Sequence, residues 1–165
     1  VQARAAAEAR AALQGRAAMV ADLPRLTYIR QMAEEALRLY PPAAFLSRTA
    51  LVHDTLGGRE VRPGDTIMLP VYALHRHHLL WDDPDAFDPD RFAPDVHRDR
   101  FAFLPFGAGP RICIGASFAL QEAVIILATL LDRLEFALTA RLPQPRMILT
   151  LRPHGGVWLD IRKRA

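Results

Sequence analysis

The only cysteine of this 165-residue chain, Cys113, follows a loop rich in glycine and proline and precedes a long apolar segment that predicts a helix. A thiol at the start of a helix lies at the positive end of the helix dipole, which favours its thiolate form. Gly107 and Gly109 allow the backbone to approach a flat, bulky partner, and Arg111 offers a cation to an acidic group on that partner. These residues together indicate a site for an anionic, metal-centred cofactor bound through one sulfur.

The spacing around this cysteine is specific. Phe106, Gly109, Arg111, Cys113 and Gly115 fill every fixed position of the pattern F-x-x-G-x-R-x-C-x-G. This pattern resembles the heme-binding loop of the cytochrome P450 family, whose cysteine is the proximal ligand of the heme iron. A buried structural cysteine is the ordinary alternative. A cysteine nucleophile is another, but it needs a base within reach, and no known signature surrounds any of the six histidines.

A second motif lies in a predicted helix over residues 28–40, with Thr27 as its N-cap. Glu35 and Arg38 are three residues apart there, so their side chains can meet on one face of the helix. An exposed pair of this kind contributes little stability. However, the eight residues from Glu35 onward resemble the E-x-x-R helix of the same family, which implies a buried structural pair behind the heme loop.

A third motif lies in residues 81–100, which are rich in aspartate and proline and have no regular period. The aromatic side chains in and just after this segment predict an ordered meander. The string at residues 87–92 resembles the family's P-E-R-F segment, with Asp90 in place of glutamate. The resemblance implies that Arg91 joins Glu35 and Arg38 in a structural triad, in which both guanidinium groups could bind the carboxylate in a bidentate way. The predicted anchors of the meander are Trp81, Phe87, Phe92 and Phe101.

The remaining segments predict a mixed fold, mainly α with small antiparallel β-sheets (α+β). The resemblance covers nearly the whole chain and implies the C-terminal, proximal heme-side part of the cytochrome P450 fold. We expect one partial domain over residues 1–165, with helices and a small sheet in 1–80, the meander in 81–100, the heme-thiolate loop in 101–115, a buried core helix in 114–131 and C-terminal strands in 132–165. Within these parts we predict a helix over 1–19, turns at 57–58 and 63–65, a short helix or turn over 70–78, and strands over 134–138, 147–151 and 157–161.

Two further positions are candidates by resemblance. Arg48, in a strand predicted over residues 45–52, could reach a heme propionate, although a solvated strand arginine explains it equally well. His75 occupies a position where the family often carries His-Arg, which implies a structural or propionate-side role. His77 and His78 raise the possibility of zinc, but the cysteine partners usual at such sites are missing nearby, so we predict no zinc site.

Composition limits the classes of partner. The chain has 21 basic and 18 acidic residues, a net charge of +3 and no long basic run, so we predict no nucleic-acid partner. The longest apolar run, over residues 123–131, is too short to span a bilayer, and no signal peptide is visible. The chain begins with Val1 inside a predicted helix. We therefore interpret it as part of a longer protein, cytoplasmic and soluble as given, and leave an upstream membrane anchor open.

The resemblance implies heme b with Cys113 as thiolate ligand, an arrangement that favours O–O cleavage. It also implies that Phe106 shields the sulfur and that Arg111 and Arg48 neutralise propionates. The implied reaction inserts one oxygen atom from dioxygen into a small organic substrate, with electrons from a reductase or ferredoxin-like partner. The family's distal helix is expected before Val1, so no catalytic residue is assigned here. The alternative is a non-catalytic apo fragment or binding module that self-associates through an uncovered apolar face.

Overall fold

The helices and strands form the mixed α+β arrangement that the sequence predicts. The computed structural model describes residues 1–164. Its α-helices are α1 (Gln2–Leu13), α2 (Thr27–Leu39), α3 (Val71–Leu74) and α4 (Ala116–Arg133), and its strands are β1 (Leu46–Thr49), β2 (Asp54–Leu56), β3 (Arg59–Val61), β4 (Thr66–Leu69), β5 (Leu134–Leu138), β6 (Gln144–Met147), β7 (Leu151–His154) and β8 (Leu159–Lys163). None of the helices in this described part is long and apolar enough to cross a membrane.

The main core forms where α1, α2 and α4 pack together. Helix α1 presents alanines to its neighbours, and these small side chains allow close contact between helices. The predicted helix over 1–19 is too long, because Gln14 and Gly15 adopt positive φ angles of 51° and 82° and end it. The buried residues of this core include Ala5, Ala9 and Ala12 from α1, Ile29 and Ala33 from α2, and Val124, Ala128 and Leu131 from α4.

The N-terminus of α2 is capped by a residue of α1. Thr27 is the first helical residue of α2 and not its N-cap, so that prediction is wrong. The Glu8 carboxylate instead accepts hydrogen bonds from the backbone N–H groups of Tyr28 and Ile29, at 2.8 and 2.9 Å, and from the Thr27 hydroxyl. An acidic side chain is favoured here because unpaired N–H groups and the positive end of the helix dipole meet at this point.

A buried carboxylate holds the connection between α1 and α2. Asp22 accepts hydrogen bonds from Arg16, Arg25 and the backbone N–H of Met19. These three donors, with Arg16 foremost, hold the pKa of Asp22 well below its usual range. The segment is therefore ordered although it contains only a short 3-10 helix, Val20–Arg25.

The strands form small antiparallel pairs, as predicted: within residues 1–164, β1 pairs with β4, β2 with β3, β5 with β8, and β6 with β7. Gly57 and Gly58 form the predicted turn between β2 and β3, and their φ angles of +56° and +77° suit a tight hairpin. The predicted strand over 147–151 is wrong, because residues 148–150 are the turn between β6 and β7. Its apolar side chains resemble a buried strand, yet Ile148 and Leu149 are 84% and 91% exposed.

Helix α4 is less buried than predicted. Apolar residues lie around most of its circumference, so we expected the helix to be buried on most sides. In the structure only Val124, Ala128 and Leu131 of this helix are buried. Phe118 and Ile126 on its other side are 71% and 50% exposed. One face packs on α1 and α2, and no described residue covers the apolar face opposite.

The meander is ordered around fewer aromatic anchors than predicted. Trp81 and Phe92 are buried together and pack with Phe103. Phe87 and Phe101, however, are exposed. Phe103 thus takes the anchoring role predicted for Phe101, because the chain turns between them and only Phe103 faces the interior.

Candidate functional site

The loop before α4 is closed by its own backbone. The N–H of Gly107 donates to the carbonyl of Leu104 at 3.1 Å, and the N–H of Cys113 donates to the carbonyl of Phe106 at 2.9 Å. The N–H of Ala116, the first residue of α4, donates to the Cys113 carbonyl at 3.2 Å. Cys113 is therefore held from both sides, by the loop behind it and by the helix in front of it.

Two glycines give this loop its path. Gly107 and Gly109 have φ angles of +77° and +72°, a region that residues with a Cβ adopt only with strain. A Cβ on Gly107 would lie 3.5 Å from Leu46 Cδ1 in β1, so the loop also passes close to that strand. Gly115 has an ordinary φ of −88°, and its Cβ would lie 3.9 Å from Cys113 Sγ. Gly115 thus lies next to the sulfur, but its backbone angle, unlike those of Gly107 and Gly109, does not require a glycine.

Cys113 is exposed, contrary to what a structural cysteine would show. Ile112, Ile114 and Phe118 near it in the chain are also exposed. A lone thiol among exposed apolar side chains suits a flat, largely apolar group that brings its own metal ligands. Within residues 1–164, no three His, Cys, Asp or Glu side chains converge to hold a metal ion by themselves. The residues therefore fit heme, in which the porphyrin supplies the other ligands and the protein one sulfur.

The other residues predicted to contact the cofactor differ in how far their side chains are exposed to solvent. Phe106 is half-buried, while Arg111 is exposed at the end of a 3-10 turn, Gly109–Arg111. Arg48 is exposed in β1, and its guanidinium donates to the Ser47 carbonyl at 2.8 Å. Both arginines present their charge to solvent.

Glu35 and Arg38 form a fully buried ion pair in α2. Arg38 Nε lies 2.6 Å from Glu35 Oε2, and Arg38 Nη2 lies 2.8 Å from Glu35 Oε1, so the pair is bidentate. Both side chains are 0% exposed. The remaining Arg38 donors bind the carbonyls of His75, Pro84 and Ala86, and Glu35 also accepts from the N–H of Asp88. A buried pair with all these partners holds α2 against α3 and the meander in one arrangement.

Arg91 approaches the same carboxylate less closely. Its Nε lies 3.5 Å from Glu35 Oε1, while its Nη2 donates to the carbonyl of Asp83 at 2.8 Å. The structure thus brings Glu35, Arg38 and Arg91 together, but only Arg38 is bidentate. Asp90, which stands where the family pattern has glutamate, forms a surface ion pair with Arg4 at 2.7 Å.

His75 lies at the centre of this region, and sequence reasoning did not distinguish its role. It is 0% exposed; its Nδ1 lies 3.1 Å from the Arg38 carbonyl, and its Nε2 accepts from the Leu104 N–H at 2.8 Å. Burial lowers the pKa of His75 to about 4, and the Arg38 and Arg76 charges act in the same direction. Its role is therefore structural and not on the propionate side. His77 and His78, by contrast, are exposed and stack on each other.

The sequence of this chain matches one family of known proteins. The family model described as Cytochrome P450 matches residues 1–159. Over 152 residues the chain is 41% identical to cyclooctatin synthase of Streptomyces melanosporofaciens, covering 89% of this chain and 33% of that protein. It is 40% identical over 148 residues to cytochrome P450 4B1 of Rattus norvegicus, an alignment that covers 87% of this chain and 29% of that protein. It is also 40% identical over 145 residues to a cytokinin hydroxylase of Arabidopsis thaliana, covering 87% of this chain and 28% of that protein. The chain thus spans about a third or less of the length of these relatives.

Proposed function

This chain belongs to the cytochrome P450 family, and we propose that it supplies the thiolate side of the heme site in a monooxygenase. The reaction inserts one oxygen atom from dioxygen into a small organic substrate. The observation that carries the proposal is the exposed Cys113 thiol at the end of a closed loop, with exposed apolar side chains beside it. This arrangement suits a heme ligand better than a structural thiol, which would be buried.

The chain's own residues bind and orient the cofactor in this proposal. Cys113 is the thiolate ligand, and the hydrogen bond from its N–H to Phe106 sets the position of its backbone. The Ala116 N–H donates to the Cys113 carbonyl, so the start of α4 fixes the same backbone from the other side. Heme, when bound, supplies the dioxygen and electron-transfer chemistry. In this proposal Arg111 and Arg48 neutralise the heme propionates. The proposed cofactor-binding residues are Phe106, Gly107, Gly109, Arg111, Cys113, Gly115 and Arg48.

Other parts of the reaction are proposed to come from outside these residues. We assign no catalytic residue within the chain, and we expect the distal helix that delivers protons to precede Val1. Electrons come from a reductase or a ferredoxin-like partner, and a cytoplasmic location, where such a donor could reach the site, is part of the proposal.

An absorption spectrum of the full-length protein tests the proposal. The protein is loaded with heme, reduced and exposed to carbon monoxide, alongside C113A and the control S117A, which changes an exposed residue of α4. We expect a strongly red-shifted Soret band in the wild type and in S117A, and its loss in C113A, because only a thiolate ligand produces it. A band that is absent in the wild type, or equal in C113A, would overturn the proposal.

A second candidate is a binding or structural module that self-associates without turnover. The exposed apolar face of α4, with Phe118 and Ile126, and the exposed turn at Ile148 and Leu149 favour it. Product formation with a redox partner separates the two, since a module could bind heme and still form no product. Sedimentation at several concentrations tests self-association directly.

A further inference from the structure

We infer that His75 is a positioning residue for Cys113, because its imidazole joins the helix that carries Glu35 and Arg38 to the loop that carries the thiol. The inference rests on the proposed function, since it concerns the geometry of the thiolate ligand. His75 is 0% exposed and lies on neither the exposed apolar surface nor the loop itself. It acts only through the backbone groups that it binds.

The two hydrogen bonds of the ring fix its tautomer. The Leu104 N–H is a donor only, so His75 Nε2, 2.8 Å away, must accept and carry no proton. The proton of the neutral ring is then on Nδ1, which donates to the Arg38 carbonyl at 3.1 Å. Each ring nitrogen therefore has a defined role, and exchanging the two roles would break both bonds.

On one side, a short series of backbone bonds leads from the ring to the cysteine. His75 Nε2 accepts a hydrogen bond from the Leu104 N–H. The Leu104 carbonyl in turn accepts a hydrogen bond from the Gly107 N–H at 3.1 Å. That turn carries Phe106, whose carbonyl accepts from the Cys113 N–H at 2.9 Å. Leu104 is buried at 7% exposure, so few alternatives to the His75 bond are open to its N–H. Displacing Leu104 would shift the turn and with it the backbone of Cys113.

On the other side, the ring is bound to the backbone of Arg38, whose side chain forms the buried ion pair. The Arg38 guanidinium donates to the carbonyls of residues 75, 84 and 86, which lie just after α3 and in the meander and not in the cysteine loop. The backbone carbonyl of Arg38 accepts the hydrogen bond from His75 Nδ1–H. The helix that carries the Glu35–Arg38 pair is thus connected to the cysteine loop by the two hydrogen bonds of the His75 ring.

Three substitutions separate this role from simple packing. H75N places a donor near the Nδ1 position but does not reach Leu104, and H75Q extends an acceptor toward the Nε2 position. H75F keeps an aromatic ring and removes both bonds. If His75 only fills space, H75N and H75Q, which both lose the ring, should behave alike. If the bond to Leu104 positions the cysteine, H75Q should resemble the wild type and H75N should not.

Amide hydrogen exchange in the full-length, heme-free protein is the decisive measurement. We expect the amides of Leu104, Gly107 and Cys113 to exchange at the wild-type rate in H75Q and about fivefold or more faster in H75N and H75F, as the loss of one buried hydrogen bond implies. Equal exchange of the Cys113 amide in H75N and H75Q would overturn the inference. In the wild type alone, we expect nitrogen NMR to show the Nδ1–H tautomer, and an Nε2–H tautomer would also overturn it.

The heme-loaded protein provides a second readout of the same variants. We expect the red-shifted band of the reduced carbon monoxide complex to fall several-fold in H75N relative to H75Q, at similar thermal stability of the two variants. An equal band in both would overturn the inference. A wild type without this band would defeat the proposed function instead, while the exchange and tautomer measurements would still decide the role of His75.

Discussion

Arg38 and His75 each donate a hydrogen bond to the backbone carbonyl of the other. Arg38 Nη1 lies 2.7 Å from the His75 carbonyl oxygen, and His75 Nδ1 lies 3.1 Å from the Arg38 carbonyl oxygen. Both side chains are completely buried although 37 residues separate them. Replacing either one leaves a buried carbonyl without its donor, so the two residues stabilise the junction of α2 and α3 together.

Replacing Arg38 by lysine should strongly destabilise the protein. R38K keeps the charge but loses the bidentate contact with Glu35 and the bonds to the carbonyls of His75, Pro84 and Ala86. We expect the free energy of unfolding in urea to fall by about 3 kcal/mol, the loss typical when a buried pair is broken. The control is R30K in the exposed pair with Glu34, for which we expect a change below about 0.5 kcal/mol. Similar values for the two variants would contradict this prediction.

Removing the Glu8 carboxylate should destabilise the start of α2. E8A leaves the N–H groups of Tyr28 and Ile29 without their acceptor, and we expect a loss of about 1–2 kcal/mol in thermal or urea unfolding. E8Q should lose less, because its amide oxygen can still accept one bond. E60A is the control, since the ion pair of Glu60 with Arg62 is exposed. A loss in E8A no greater than in E60A would show that the cap contributes nothing.

The protein should lose stability in mild acid through His75. The pKa of His75 is lowered to about 4 in the folded state, against about 6.5 when unfolded. The neutral ring therefore stabilises the fold fully above pH 6.5, and this contribution is lost as the pH falls from 6.5 toward 4. Arg38 and Arg76 face the ring and oppose its protonation. At ~1.4 kcal/mol per unit, the full contribution is about 3 kcal/mol.

Urea unfolding of wild type and H75Q between pH 4 and pH 8 measures this contribution. Every ionisable group other than residue 75 is common to the two proteins, so its effect cancels in the comparison. We expect the wild type to lose more stability than H75Q between pH 6.5 and pH 4. Parallel pH profiles for the two proteins would rule out His75 as the titrating group.

The glycines of the loop should differ in their tolerance of alanine. Gly107 has a φ of +77°, so G107A adopts a strained backbone, and we expect a loss of about 1–2 kcal/mol. Gly115 has a φ of −88°, and its Cβ would meet only Cys113 Sγ at 3.9 Å, so G115A should change the unfolding free energy by less than about 0.5 kcal/mol. Urea unfolding of both variants tests this. Equal losses would show that the positive φ of Gly107 is not a source of strain.

Local patterns in the sequence were enough to predict several features of this chain. The spacing of Glu35 and Arg38 places them on one face of a helix, and Gly57 and Gly58 define a hairpin turn, because both effects depend on residues only a few positions apart. The pattern around Cys113 likewise predicts a loop followed by a helix. The fold class followed from the same local signals, and so did most of the helices and strands.

Tertiary structure decided the rest, because it depends on contacts between residues that are far apart in the chain. Glu8 caps a helix that begins 19 residues later, and His75 meets Leu104 across 29 residues; no local pattern marks either contact. The apolar run at residues 147–151 has the composition of a strand, yet its middle residues, 148–150, form a turn, because strand pairing and not composition determines which residues join a sheet. The sequence by itself thus determined the chemistry available at Cys113 and the local elements around it, whereas packing determined which side chains hold that thiol in place.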